Sequence, residues 1–210
     1  EEELARKFPE IRTFCGTDGD GYLRLSISPY SFQAYLLTPE GDVVIEAPDR
    51  NQQGLYASFY SSSVGLSDPI HLRCGTHELE DLVLKSSGGD QIKIQSRGSG
   101  GEPADLRTYR LALACTGEWG SSLSLGGGTV ATALDKMVAS MSYINAVYEK
   151  EAAIHMNLVA NNDKIIFLDP QTDPYGSPTS GGNTLGQNTD VITGTLGRAA
   201  YDIGHVFTIE

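Results

Sequence analysis

Short apolar runs alternate with turn-forming residues along the first part of the chain, from Phe8 to about Ser96. The turns hold glycine beside an acidic residue, in the segments DGDG at 18–21, PEGD at 39–42 and SGGD at 87–90. Glycine reaches the positive φ angles that tight hairpins require, so these segments are typical of connections between antiparallel strands. The pattern predicts a small antiparallel sheet or sandwich with strands at residues 22–27, 32–38, 42–47, 55–61, 82–85 and 91–95.

A glycine-rich stretch follows at residues 97–106, with the sequence RGSGGEPADL. It has little apolar material to bury, and its glycines raise the entropy cost of ordering the backbone. We therefore expect a linker here, between a β-rich domain at 1–96 and a second domain at 107–210. An accessible linker of this kind is also where a processing protease cuts.

The hydrophobic period changes after the linker from that of strands to that of a helix. An apolar strand is predicted at 109–115, and Thr129 is a suitable N-cap for a long helix that follows. Apolar residues recur along that helix at helical spacing, at Val130, Leu134, Met137, Val138, Met141, Ile144, Val147 and Tyr148.

Two more strands are predicted at 154–160 and 164–168, separated by the turn residues 161–163. A weaker helix at 183–196 would turn four apolar side chains inward, namely Leu185, Val191, Ile192 and Leu196. A last strand is predicted at 201–209. The fold class is therefore α+β or α/β, with an N-terminal all-β module followed by a mixed sheet that carries a long helix.

Composition and charge restrict the partners of this chain. Its 210 residues carry a formal net charge of −12, and no cluster of lysine and arginine is present to bind the phosphates of a nucleic acid. No apolar run approaches the roughly 20 residues that a membrane-spanning helix needs, and the first residues lack the apolar core of a signal peptide. We expect no membrane partner and an export signal that has already been removed.

Three cysteines are an odd number, which excludes a fully paired disulfide scaffold.

Metal-binding and catalytic motifs are incomplete in this sequence. The segment HELED at 77–81 begins like the zinc motif HExxH, but its fifth residue is Asp81, so a solvated acidic turn is the better interpretation. The glycines at 126–128 lack the lysine of a phosphate-binding loop, and DGDG at 18–21 lacks the later ligands of a calcium loop. The four histidines show no close pairing typical of metal ligands; they are His71, His77, His155 and His205.

Four segments together resemble the opening of bacterial reprolysin-like (adamalysin-type, metzincin) zinc metallopeptidases: RTYRLALACTGEW at 107–119, INAVYEK at 144–150, IHMNLVANND at 154–163 and YDIGHVF at 201–207. The segment FPEI at 8–11 is similar to the start of the family's propeptide. In that family, strand, long helix, strand, strand, helix and edge strand precede the zinc helix, which is also the order predicted above. The resemblance implies a partial metzincin-like mixed sheet preceded by a propeptide that contacts the catalytic domain within the chain.

The activity implied by the resemblance is that of a secreted zinc endopeptidase, which acts on peptide or protein substrates through a zinc-activated water. The family's zinc motif, HExxHxxGxxH, does not occur in the 210 residues. We therefore expect the zinc ligands and the general-base glutamate to lie in a further part of the parent protein, and this fragment to hold no catalytic residue, no metal ligand and no activity. The alternative function is a non-catalytic extracellular β-rich binding or adhesion module.

Two sites follow from the resemblance. The family's edge strand matches Ile203, Gly204, His205, Val206 and Phe207. The resemblance implies that backbone groups of this strand pair with an extended substrate. The alternative is an ordinary strand with no role in binding. The segment RCG at 73–75 is similar to the cysteine-switch motif of zymogens, in which the Cys74 thiolate would occupy the open zinc position. The alternatives for Cys74 are a buried small hydrophobe or a disulfide with Cys15.

Overall fold

The structure is a computed structural model that describes residues 2–47, 54–64, 105–176 and 181–209, with backbone alone for 181–183. The strands are β1 (Arg12–Asp18), β2 (Gly21–Ile27), β3 (Phe32–Leu37), β4 (Val43–Glu46), β5 (Ala57–Tyr60), β6 (Arg107–Cys115), β7 (Ile154–Leu158) and β8 (Ile203–Phe207). The helices are α1 (Glu2–Lys7), α2 (Gly117–Ser121), α3 (Val130–Ala152) and α4 (Gly181–Leu196), with 3₁₀ turns at Ser61–Ser63, Asn162–Ile165 and Arg198–Ala200. None of the helices in the described ranges is long and apolar enough to span a membrane.

The N-terminal strands form one antiparallel sheet of five strands in the order β1-β2-β3-β4-β5, so each strand pairs with the next one in the chain. Gly19 has a φ of 58° in the turn that joins β1 to β2, which is the hairpin geometry predicted from DGDG. The predicted strands at 22–27, 32–38, 42–47 and 55–61 are confirmed as β2 to β5. Those at 82–85 and 91–95 lie outside the described residues.

Strand β1 was not predicted, because its sequence RTFCGTD lacks a clear alternation of apolar and polar residues. The structure shows why this is tolerated. β1 lies at the edge of the sheet, and most of its residues are exposed, including Phe14 and Cys15. Its conformation is imposed by antiparallel pairing along its whole length with β2, from Arg12 opposite Ile27 to Asp18 opposite Gly21.

The C-terminal part contains a sheet of three strands in the order β7-β6-β8. Its central strand β6 is almost continuously apolar towards its end, which fits a strand covered on both faces. Leu111 and Leu113 face one core cluster, and Ala112 and Ala114 face the other. Both neighbours run parallel to β6. The described part of this sheet is therefore purely parallel, whereas the sequence led us to expect a mixed one.

Helix α3 confirms the predicted long helix and lies between the two sheets. Thr129 is its N-cap: the Thr129 hydroxyl accepts a hydrogen bond from the Thr132 backbone amide at 3.1 Å, and the two threonines form a reciprocal capping box. Leu134 and Met137 are fully buried against the parallel sheet, as predicted. The helix ends at Ala152, and its C-cap Ala153 has a left-handed φ of 53° and turns the chain into β7.

Helix α3 buries more of its surface than one apolar face can account for. Polar side chains are also buried on it, including Asp135, Ser142 and Asn145. They are covered because α3 contacts β2 and β3 of the antiparallel sheet as well as β7 of the parallel one. Tyr148, predicted to face inward, is 45% exposed at the open end of the helix.

Asn162 fills a gap in the parallel sheet. β7 pairs with β6 only as far as Leu111, after which the chain leaves the sheet in the 3₁₀ turn Asn162–Ile165. The Asn162 side-chain amide takes the place of a strand: its oxygen accepts a hydrogen bond from the Leu113 N–H, and its nitrogen donates to the Leu113 carbonyl, both at 2.9 Å. Backbone pairing resumes only as a single bridge between Cys115 and Ile166.

The predicted strand at 164–168 is therefore wrong. Residues 164 and 165 belong to a 3₁₀ turn, and Ile166 alone forms a β-bridge. The apolar run Ile165 to Leu168 looks like a strand because its side chains are buried or half-buried, but Ile165 enters the second core cluster from a turn. Burial without regular pairing gives the same sequence pattern as a short buried strand.

Replacing Asn162 by alanine will leave the buried N–H and carbonyl of Leu113 without partners. We expect Asn162→Ala to lower the free energy of unfolding by about 3 kcal/mol, measured by urea denaturation, because each unpaired buried backbone group costs about 1–3 kcal/mol. The control is Asn161→Ala, which removes only a partly exposed hydrogen bond from Lys7 and should cost less than about 1 kcal/mol. Equal losses for the two variants would refute the strand-replacing role.

Candidate functional site

The candidate substrate edge is strand β8, which pairs with β6 on one side. Within the described residues, no strand lies on its other side. Ile203, Gly204 and His205 are exposed, and Val206 and Phe207 are half-buried. The strand predicted at 201–209 is thus confirmed, and the described sheet places it at an edge. Its role in binding substrate stays a prediction.

Contacts on its two faces hold β8 against helix α4 and against helix α2. An added Cβ at Gly204 would lie 3.1 Å from the Ile192 methyl carbon of α4, so a larger side chain here would press on that helix. On the other face, the Phe207 ring packs against Trp119 of α2 with 5.1 Å between ring centroids. The His205 ring lies edge-on to Phe207 at 5.9 Å, and partial burial of this ring lowers the pKa of His205 even though the residue as a whole is exposed.

The loop after β6 is held by close backbone packing. Thr116 is the N-cap of α2, and an added Cβ at Gly120 would lie 2.0 Å from the Phe167 carbonyl oxygen, so only glycine fits. The Asp173 carboxylate accepts hydrogen bonds from the backbone amides of Gly117 at 2.5 Å and of Tyr175 at 2.8 Å. These hydrogen bonds use the carboxylate to order the loop rather than leaving it free for catalysis.

Cys115 ends β6 inside the core. Burial raises the pKa of its thiol to about 12, so the thiol stays protonated at neutral pH. A protonated thiol is neither a nucleophile nor a good metal ligand. Cys115 is therefore a structural residue, in contrast to Cys15, which is exposed on β1.

The described residues do not provide a zinc site. No three of their His, Cys, Asp or Glu side chains come together as potential ligands. His155 lies on β7 and His205 on β8, which are opposite edges of the three-stranded sheet, so the fold keeps these two imidazoles apart. Cys74, His71 and His77 lie outside the described residues.

A polar cluster around Glu149 was not predicted from the sequence. Glu149 lies in the last turns of α3, and its carboxylate accepts hydrogen bonds from the Tyr22 hydroxyl and the Arg24 guanidinium of β2. It also pairs with His155 Nδ1 of β7. The partners from β2 are more than a hundred positions away along the chain, so no local pattern signals the cluster.

The electrostatics of this cluster favour an ionised Glu149. Burial alone would raise the pKa of Glu149, but hydrogen bonds from Tyr22, Arg24 and His155 outweigh burial and hold its pKa below the ordinary range. Burial, together with the hydrogen bond to Glu149, raises the pKa of Tyr22 to about 12. At neutral pH the cluster therefore holds a carboxylate, a guanidinium and a neutral phenol.

The pairing of His155 with Glu149 looks like the base and orienting carboxylate of a catalytic triad, but the geometry does not support catalysis. The second ring nitrogen, His155 Nε2, is already occupied by Asn157 Oδ1 at 3.0 Å. A general base needs a free nitrogen within reach of the proton that it removes. The cluster is therefore a structural link between the antiparallel sheet, α3 and β7.

Replacing Glu149 by glutamine will remove the charge at the centre of this link. We expect Glu149→Gln to lower the free energy of unfolding by about 1–3 kcal/mol at pH 7, because Arg24 loses its ionic partner in a largely buried position. A carboxylate with a lowered pKa stabilises the fold above its unfolded-state pKa and loses this effect as pH falls through its folded-state pKa. The difference between parent and variant should therefore shrink below about pH 4.

The matched control is Glu151→Gln, which changes an exposed carboxylate near the end of the same helix and should alter stability by less than about 0.5 kcal/mol. Urea denaturation between pH 3 and pH 7 measures both variants. A pH-independent difference between parent and Glu149→Gln would contradict an ionised Glu149 as the source of the effect.

Comparison with known proteins assigns the second part of the chain. The family model described as Metallo-peptidase family M12B Reprolysin-like matches residues 105–210, which is half of the 210 residues. No curated protein and no solved structure matches the chain. The matched region contains the whole parallel sheet, helices α2 to α4 and the candidate edge β8. This chain therefore belongs to the M12B metallopeptidases of reprolysin-like type.

Proposed function

We propose that this chain is the zymogen portion of a secreted zinc-dependent endopeptidase. Residues 1–96 would be its propeptide, residues 97–106 the linker that is cut on activation, and residues 107–210 the N-terminal part of its catalytic domain. The family match over residues 105–210 carries the proposal, since it begins within the predicted linker and covers the rest of the chain. It also favours a peptidase over a non-catalytic adhesion module.

The metal chemistry of the proposed enzyme is assigned to a longer parent protein. The described residues hold no cluster of potential zinc ligands, and the sequence has no HExxHxxGxxH motif. The parent would supply zinc and the residues that activate water for peptide hydrolysis. The contribution of this chain would be to bind and orient the peptide and to keep the enzyme latent before cleavage.

Substrate binding is proposed for the outer edge of β8. Backbone N–H and C=O groups along an unpaired edge pair with any extended peptide, so this contact is largely independent of the substrate's side chains. The exposure of Ile203, Gly204 and His205 supports an accessible edge. The exposed surfaces of these three residues are small or partly apolar. They would therefore favour particular side chains of the peptide only weakly.

Latency is proposed to depend on Cys74 in the segment RCG. A thiolate is a strong zinc ligand, so Cys74 would block the open metal position of the parent enzyme until activation displaces the thiolate from the zinc. Cys15 is exposed on β1 in the same N-terminal part and offers a matched control.

The function is tested by comparing this 210-residue chain with the product of the longer coding sequence. We expect the chain alone to contain no stoichiometric zinc by metal analysis and to release no fluorescence from quenched peptide substrates. The longer product should bind one zinc and hydrolyse peptides after cleavage at the predicted linker. Cys74→Ser should give activity without cleavage, whereas Cys15→Ser should stay latent. A longer product that has neither zinc nor hydrolysis would contradict the peptidase.

The proposed substrate edge is tested by hydrogen–deuterium exchange of β8 in the longer product. An extended peptide that is a substrate should slow exchange at the β8 amides, because it forms a new ladder of hydrogen bonds. The matched control is the same peptide N-methylated at alternate residues on its pairing edge, which removes the donors and should give no protection. Equal protection with both peptides, or protection without peptide at the β8 amides that point away from β6, would refute the role of this edge; the amides that pair with β6 are protected in either case.

A further inference from the structure

The N-terminal helix α1 belongs to the core of the C-terminal part. Its Leu4 is 6% exposed and is a member of the core cluster formed by β6, α3 and β7. Phe8 and Ile11, which follow α1, pack against the same cluster. These three apolar side chains come from the region predicted to be the propeptide, yet they complete the hydrophobic core of the peptidase-family region.

A second contact fixes the end of α1. The Lys7 ammonium donates hydrogen bonds to the Ala160 carbonyl at 3.2 Å and to the Asn161 side chain at 2.9 Å, and it forms an ion pair with Asp163 at 3.0 Å. These three acceptors lie in and beside the 3₁₀ turn that interrupts the parallel sheet. Lys7 therefore binds the turn from which Asn162 reaches β6.

A third set of contacts joins the antiparallel sheet to α3 along the length of the helix. Near the start of α3, the Ser31 hydroxyl donates to buried Asp135 at 2.7 Å. Near the middle, the Tyr35 ring packs on Tyr143 with 4.6 Å between centroids. At the end lies the Glu149 cluster described above. The antiparallel sheet and its turns therefore contact α3 through polar groups near the start and the end of the helix, and through packed aromatic rings near its middle.

The geometry points to a docking surface on α3, β7 and the turn after β7 whose partner is the N-terminal part of this same chain, up to Val64. We infer that this part stays bound without a covalent link, so that cleavage between Val64 and Asp105 yields a two-chain protein rather than a released peptide. The described contacts that carry this inference all lie outside the residues between those two positions. The inference goes beyond the proposed function and holds whether or not the parent hydrolyses peptides.

The physical reason is the kind of surface that separation would expose. Removing Leu4, Phe8 and Ile11 would uncover apolar core residues of α3 and β7, and removing β2 would leave Glu149 without two of its partners. Both changes oppose dissociation, the first through the hydrophobic effect and the second through loss of buried hydrogen bonds. Cutting the connection removes only the contribution of the tether. A flexible tether keeps the partner at an effective concentration in the millimolar range.

The test cuts the full chain at one designed place. A recognition sequence for a site-specific protease is inserted between Gly100 and Gly101, and cleavage is verified on a denaturing gel. Native mass spectrometry and size-exclusion chromatography then follow at about 1 μM protein, under reducing conditions so that no disulfide can join the pieces. We expect one species with the mass of both fragments. Two separate fragments, or an aggregated C-terminal fragment with the N-terminal one in solution, would overturn the inference.

Variants then test whether the described contacts hold the fragments together. Leu4→Ala in the cleaved protein should weaken association by about 100-fold, in line with the cost of emptying a buried leucine site. Leu55→Ala removes a leucine that is 51% exposed in the same N-terminal part, and it should change association by less than about twofold. If Leu4→Ala prevents folding of the uncut chain, Lys7→Ala serves instead, with an expected weakening of about fivefold to tenfold. No change with either variant would contradict the proposed surface.

Discussion

Burial of helix α3 between two sheets is the constraint on which the rest of the structure depends. An amphipathic helix covers one sheet with its apolar stripe and leaves its polar side in water. Here the polar side is covered too, so buried polar groups on it are partnered by the strands that cover it. Asn145 exchanges hydrogen bonds with the Met156 backbone of β7, and other groups bond to the antiparallel sheet and its turns. Ser31, Tyr22 and Arg24 supply such partners for Asp135 and Glu149. The two parts of the chain are therefore joined by matched hydrogen bonds as well as by apolar contact.

The parallel sheet shows how a side chain can stand in for a missing strand. A central strand such as β6 must satisfy its backbone groups on both sides because water does not reach them. β8 does so on one side, and on the other side β7 ends before β6 does. The Asn162 amide has the same donor and acceptor as a peptide unit, so it closes the gap at Leu113. Lys7 binds the turn that carries Asn162. The N-terminal helix α1 therefore also stabilises the parallel sheet.

These connections change the meaning of the predicted linker. A boundary at 97–106 separates two kinds of hydrophobic pattern, and the family match begins near it. Packing follows a different division, because Leu4 lies in the same core cluster as Leu113 and Leu134. In the proposed zymogen, cleavage at 97–106 would separate the two regions that differ in sequence pattern. It would leave intact the core cluster that both regions share. The edge strand β8 lies on the opposite side of β6 from β7. His155 and Asn157 of β7 line the same cavity as Leu4 and Arg24 of the N-terminal part, so the candidate substrate edge is on the side of the sheet away from that contact.

The sequence by itself determined the local elements. The hairpin at DGDG, the strands β2 to β5, the capped helix α3 and the strand β8 all follow from turn chemistry, period and capping, which act over a few neighbouring residues. It also carried the family resemblance, because the matching segments are short runs of neighbouring residues that occur in the family's order. Only the tertiary structure decided that β1 is a strand, that residues 164–168 are not, that Leu4 enters the core cluster of β6, α3 and β7, and that Glu149 bonds to Arg24. Those outcomes depend on pairing and burial between residues far apart in the chain, where no local preference specifies the partner.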